Sequence, residues 1–191
     1  TTLFNIILGL YRPTTGSIMV DDTELTDENV AKWQNSIGYV SQNVFITDST
    51  IAENIAFGVN ASDIDYDLVN KVIELADLKP FVESLSAGVN SRIGELGSRL
   101  SGGQRQLVLI ARTLCQTPKA ILFDEPTSHL DFKNQALVMK TLKNLSAKGM
   151  TIIMTSHSPA HAWQVSNKTV LMGKGGIIAQ GAPQQVMTAE N

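Results

Sequence analysis

The chain has 191 residues, 43% hydrophobic and 17% charged, the balance of one globular domain with a substantial core. Its formal net charge is -3 with acids and bases scattered, so no basic stripe is available for a phosphate backbone and nucleic acid is not an expected partner. Cys115 stands alone, which excludes a disulfide framework and a thiolate metal cluster, and no apolar run reaches the roughly 18 to 20 residues that span a bilayer, so service to a membrane is expected to run through a partner.

The chain opens TTLFNIILGLYRPTTG. Leu3, Ile6, Ile7 and Leu10 fall at the i, i+3, i+4 and i+7 spacing of one helix face, and the Pro and Gly of RPTTG stop it. A helix is therefore predicted from residue 1. SIMVDD reads as a short strand closed by an acidic turn, DENVAKWQ as a helix, and SIGYVSQ as a strand whose end carries Gln42. From about residue 43 to 101 the apolar positions of STIAENIAF, YDLVNKVIELADL and PFVESL keep helical spacing without β-branched runs, which predicts a mostly helical insertion.

Beyond Leu100 helices and strands alternate. GGQRQLVLIARTLCQ reads as helix, KAILFDE as a buried strand ending in acids, and FKNQALVMKTLKNLSAKG as an amphipathic helix with a Gly stop. MTIIMTSH reads as a second buried strand, and KTVLMG with GIIAQG as a hairpin turning through KG. Alternating units with continuous apolar strands predict an α/β fold, a mainly parallel sheet flanked by helices. Its core is expected at about 1–42 and 102–191, with a helical subdomain at about 43–101.

Four places in this frame carry chemistry. ILFDEPTSHLD delivers Asp124 and Glu125 at the carboxyl end of a strand, where open α/β sheets place their ligands. An aspartate there suits a hydrated Mg²⁺ and a glutamate suits taking a proton from an attacking water, although a solvated acidic turn has the same composition. In LSGGQ, Gly102 and Gly103 let backbone approach a ligand closely, Ser101 adds a hydroxyl, and the following helix points its positive end to the same place. That describes an anion site, and equally a serine N-cap with flexible glycines. His157, ending MTSH, suits a γ-phosphate or an attacking water, or a structural role. Gln42 suits Mg²⁺ or water through its side-chain carbonyl, or is inert.

In this order and at these intervals, the stretches resemble the nucleotide-binding domain of ATP-binding cassette (ABC) transporters, a P-loop NTPase fold, over essentially the whole chain. Leu100 to Gln104 match the family's signature motif, Ile121 to Glu125 its Walker B strand, Ser128 to Asp131 its D-loop, His157 its switch histidine and Gln42 its Q-loop glutamine. TTLFNIILGLYRPTTGSI is similar to the segment that follows the Walker A lysine, with Thr1 in the Mg²⁺-ligating hydroxyl position and Thr2 beside it near the phosphates. The glycine-rich loop and lysine that cradle those phosphates precede this point in the family.

The resemblance implies ATP hydrolysis in a head-to-tail dimer that drives a transmembrane permease, fused or separate, from the cytoplasmic face of a membrane. Ser101, Gly102, Gly103 and Gln104 would complete a partner's nucleotide site, and Asp131 would sense the opposite site across the interface. Mg²⁺ would sit at Thr1, Gln42 and Asp124, with Glu125 as general base and His157 on the γ-phosphate. FITDSTIAENIAFG and RIGELGSRLSGGQ look like the exporter branch, in which the place of Glu95 communicates with the membrane domain. DEPTSHLD and TSHSPAHAWQVSNKTVLMGKGGIIAQGAPQQVMT look more like importer ATPases for metal chelates and vitamins, as in a chimera of two lineages. Two other readings fit the same residues. Soluble ABC ATPases are one, opposed by the short interval between Gln42 and Ser101. A truncated or chimeric module that folds without productive ATP binding is the other.

Overall fold

The computed structural model describes residues 2–173 and 175–187. The chain forms two compact units, Thr1–Met154 and Thr155–Asn191. In the first, α1 (Thr2–Ile7) buries Phe4, and Leu8 just beyond it, in a cluster with Ile37 and Leu122. The predicted face is thereby corrected, since Leu3 is 42% and Leu10 60% exposed. The larger Phe4 takes the core-facing position, and the chain leaves the helix at Gly9. There φ is +69° and an added Cβ would lie 2.4 Å from Val30 Cγ2, so Leu10 falls outside the helical register. The predicted start at Thr1 lies outside the described residues.

A short antiparallel hairpin follows, β1 (Met19–Val20) and β2 (Thr23–Glu24), then α2 (Val30–Gln34). This helix serves the end of α1. Trp33 Nε1 donates to the Ile7 carbonyl at 2.7 Å and Gln34 Nε2 to that of Leu8 at 3.0 Å, satisfying acceptors that a helix terminus leaves open. Next comes β3 (Ile37–Val40).

The stretch after it is helical, as its spacing predicts: α3 (Ile51–Ile55), α4 (Tyr66–Leu75) and α5 (Lys79–Glu83), with a 3₁₀ turn between α3 and α4 and two more after α5. Thr50 and Glu53 close a capping box on α3, and the hydrogen bonds from Thr50 hold the Glu53 carboxyl below its ordinary range. Asp65 caps α4. Beneath α3 the Asn54 side chain is fully buried, bonded to Thr47, Ser49, the Thr50 carbonyl and Arg112.

The long helix α6 (Gly102–Cys115) brings Arg112 to this point and leads into β4 (Ala120–Asp124). Then follow α7 (Phe132–Ala147) and β5 (Thr151–Thr155). The sheet order is β3-β4-β5, with β3 and β4 parallel and Tyr39 opposite Leu122. Ile121, Leu122 and Phe123 are completely buried because β4 has a neighbour on each side and helices packed on the sheet. The buried strand predicted at MTIIMTSH is corrected: β5 alternates between exposed and half-buried, with Ile153 42% exposed. Among the described residues β5 is the edge of this sheet, and an edge strand buries less of its length.

The second unit holds α8 (Pro159–Val165), the hairpin β6 (Thr169–Gly173) with β7 (Gly176–Gly181), and α9 (Pro183–Val186), whose Pro183 and Val186 are buried. The antiparallel hairpin matches the prediction and carries a register shift between Leu171 and Met172. Lys174 in its turn lies outside the described residues. Among the described residues no helix is long and apolar enough to cross a membrane.

Candidate functional site

Strand β4 ends at Asp124, whose side chain is only 3% exposed. A carboxylate taken that far out of water needs donors, and Tyr39 on the neighbouring β3 provides one, its hydroxyl 3.3 Å from Asp124 Oδ2. Burial, and then the Asp124 charge, push the Tyr39 phenol up from its ordinary value, so it stays protonated and remains a donor at neutral pH.

Glu125 then adopts φ +50°, a left-handed conformation that costs a non-glycine residue on the order of 1 kcal/mol. The following turn holds it there, since Ser128 donates to the Glu125 carbonyl through both its backbone N–H at 3.0 Å and its hydroxyl at 2.9 Å. The left-handed step breaks strand alternation and sets Glu125, half-buried, beside Gln42, whose Nε2 donates to Glu125 Oε2 at 3.3 Å. Two parallel strands thus bring Gln42, Asp124 and Glu125 to one sheet end. Because a carboxylate only accepts, the Gln42 amide nitrogen faces Glu125 and its carbonyl oxygen is left as a donor for a cation. With Asp124 that makes a set of hard oxygens suited to Mg²⁺. Among the described residues no three His, Cys, Asp or Glu side chains gather as a metal cage, so such an ion would complete its shell with hydroxyl, phosphate or water oxygens.

A second cluster forms where α6 and α7 begin. Ser101 Oγ accepts the Gln104 N–H at 3.2 Å and Gln104 Oε1 accepts the Ser101 N–H at 2.8 Å, a complete capping box. Asp131 caps α7, with Oδ1 accepting the Asn134 N–H at 2.8 Å. The two caps meet through Asn134, which receives the Ser101 hydroxyl on Oδ1 at 3.3 Å and donates Nδ2 to Asp131 Oδ2 at 2.8 Å. A Cβ on Gly103 would stand 2.3 Å from Asn134 Oδ1, and one on Gly102 would stand 2.8 Å from Leu130 Cδ2. Gly103 is therefore required by close packing against Asn134, a reason separate from ligand approach, whereas at Gly102 the obstacle is only the tip of the Leu130 side chain.

Thr2 is exposed at the start of α1, and Thr1 lies outside the described residues. Glu95 is exposed in a 3₁₀ turn, followed by Leu96 at φ +50° and 67% exposed. His157 follows β5 within the second unit and is exposed. Sequence reasoning missed Tyr39 and Asn134. The signals were faint: a tyrosine on the strand that ends near Gln42, and an asparagine three residues after Asp131, the spacing of a helix cap.

Comparison with known proteins places this geometry. The family described as ABC transporter matches residues 1–128. A "Multidrug resistance ABC transporter ATP-binding and permease protein" of Lactococcus lactis subsp. lactis (strain IL1403) is 33% identical over 98% of this chain and 31% of its own length. An "ATP-dependent lipid A-core flippase" of Bordetella avium (strain 197N) is 33% identical over 99% of this chain and 32% of its own length. The solved structure of a bacterial Atm1-family ABC exporter with ATP bound superposes with a TM-score of 0.82 at 27% identity, covering 97% of this chain and 32% of that one. The chain thus spans about a third of the length of these relatives, and the likeness runs through both its halves. With the parallel sheet, the acidic strand end and the capped LSGGQ helix in their expected places, the chain belongs to the ABC transporter family, of whose members it carries the nucleotide-binding domain.

Proposed function

We propose that this domain binds and hydrolyses Mg-ATP and, paired head to tail with a second such domain, drives a transmembrane permease from the cytoplasmic face of a membrane. The observation that carries the proposal is the Gln42, Glu125 and Asp124 group at one sheet end, with Glu125 held in a left-handed conformation beside Gln42. Glu125 receives the proton of the water that attacks the γ-phosphorus in line, and Gln42 keeps its carboxylate oriented. Asp124, with Gln42 and Thr1, would hold the cation. Mg²⁺, when bound, neutralises charge on the phosphate oxygens. Thr2 lies near the phosphates and His157 holds the γ-phosphate. Ser101, Gly102, Gly103 and Gln104 complete the partner's site, and Asp131 reports across the interface. Residues 43–101 act as a helical subdomain, with Glu95 in the part that communicates with the permease, while 1–42 and 102–191 form the core. The named relatives, which combine ATP-binding and permease functions or act as a flippase, support this reading.

Head-to-tail pairing is tested by cysteines at Thr2 and Ser101 in a Cys115→Ala background of the complete polypeptide. A bifunctional maleimide is expected to join two domains only when ATP is present. Equal cross-linking with and without ATP, or none in a doubly substituted protein that still binds ATP, would sink the pairing.

A second expectation concerns Tyr39. Tyr39→Phe keeps the ring and deletes the donor to Asp124, and loss of a partner behind a metal ligand costs on the order of ten-fold in metal affinity. Half-saturation by Mn²⁺, followed by its paramagnetic resonance in the presence of ATP, is expected to shift upward by that factor. Metal-free ATP binding should stay as it was, and a shift there instead would assign Tyr39 to folding.

A further inference from the structure

The bonds around Asn134 determine where the Ser101 hydroxyl proton lies. Asp131 Oδ2 can only accept, so the Asn134 amide nitrogen, 2.8 Å away, faces it and the Asn134 carbonyl oxygen faces Ser101. That oxygen can only accept, so the hydroxyl donates its single proton there, while Ser101 Oγ accepts from the Gln104 N–H. The hydroxyl is thus committed within the chain at both its donor and an acceptor position. Asn134 packs closely on α6, its Oδ1 2.3 Å from where a Gly103 Cβ would stand, and its backbone N–H is tied to Asp131 Oδ1.

We propose that Asn134 is a positioning residue that holds the Ser101 proton in reserve and yields it only when a phosphate oxygen of nucleotide on the partner domain displaces it, so that occupancy at Ser101 is felt at Asp131. This rests on the reading of Ser101 as a nucleotide contact. Binding at the signature stretch must then break the Ser101 to Asn134 bond, which weakens it. It also frees the Asn134 carbonyl and loosens the cap on the residues leading into α7.

The test measures half-saturation by a non-hydrolysable ATP analogue in the complete polypeptide. Asn134→Ala is expected to lower it about five-fold, the worth of one ordinary hydrogen bond no longer broken. Asn134→Leu, which keeps the branching and lacks the acceptor, should lower it by the same factor. Ser101→Ala should raise half-saturation, and in that background Asn134→Ala should have no further effect. A role in packing alone predicts an Asn134→Leu effect unlike that of Asn134→Ala, or an Asn134→Ala effect that persists without the serine hydroxyl; either result overturns the proposal. If Ser101→Ala leaves half-saturation unchanged, the assignment of Ser101 as a nucleotide contact fails and this proposal with it. If Ser101→Ala weakens binding but the Asn134 pattern is absent, only the proposal fails. An Asn134→Ala chain too unstable to assay leaves the test to Asn134→Leu, alone and with Ser101→Ala, where unchanged or weaker binding from the single substitution overturns the proposal.

Discussion

Glu125→Gln is expected to lower steady-state phosphate release by about 10²- to 10⁴-fold while leaving ATP binding intact. The amide matches the carboxylate in size and keeps an oxygen that can accept the Gln42 Nε2 hydrogen now 3.3 Å away. The backbone turn is held by Ser128 on the Glu125 carbonyl, which the substitution does not touch. What disappears is the basicity that takes a proton from water, a contribution of about 10² to 10⁴ in rate. The corresponding state should accumulate as ATP-bound dimer, measured as trapped nucleotide after rapid gel filtration. Turnover within ten-fold of the wild-type value would remove Glu125 as the base and return attention to the second unit, where His157 lies.

Asn54→Leu, which keeps the number and branching of side-chain heavy atoms, is expected to destabilise the fold by about 4 kcal/mol. Asn54 Oδ1 accepts the Thr47 N–H at 3.0 Å and an Arg112 Nη2 hydrogen at 3.1 Å, and its Nδ2 donates to the Thr47 carbonyl at 3.1 Å and the Thr50 carbonyl at 3.0 Å. Leucine supplies none of these, and unmet buried polar groups cost about 1–3 kcal/mol each. Arg112 would keep the Asn54 backbone carbonyl at 2.7 Å, the Phe45 carbonyl at 2.9 Å and the Phe57 ring at 4.6 Å, so the loss is large but short of complete. For a chain of this size the melting temperature should fall by roughly 10 °C. Urea unfolding supplies the direct measure, and an unchanged midpoint would show that water replaces the amide at no cost. The segment affected, 43–57, follows Gln42 and presents Phe45 and Phe57, 58% and 50% exposed, in an edge-to-face pair. Loosening it should also weaken any coupling that passes through this surface.

Much of the fold was legible because its signals are local. Helical spacing and a cap such as Ser101 declare themselves within a few residues, and the structure closes that cap into a box with Gln104. The apolar run ending in Asp124 and Glu125 announced a buried strand with acids at its end for the same reason. MTIIMTSH carried an equally apolar pattern but became an edge strand. An apolar run records the capacity to be buried, and the number of neighbours decides whether that capacity is used. Leu3 and Leu10 failed likewise, displaced when Phe4 took the core position and Gly9 turned the chain.

By itself, then, the sequence determined the α/β pattern, the helical insertion and the residue types that handle phosphate, because each is written in short-range spacing and chemistry. Tertiary structure alone decided that Tyr39 holds Asp124, that Gln42 meets Glu125 across 83 positions of chain, and that Asn134 joins Ser101 to Asp131 in the space of a missing side chain. Those contacts depend on strand register and on how closely two helices approach. Both are set by the packing of the whole core, which no short stretch encodes.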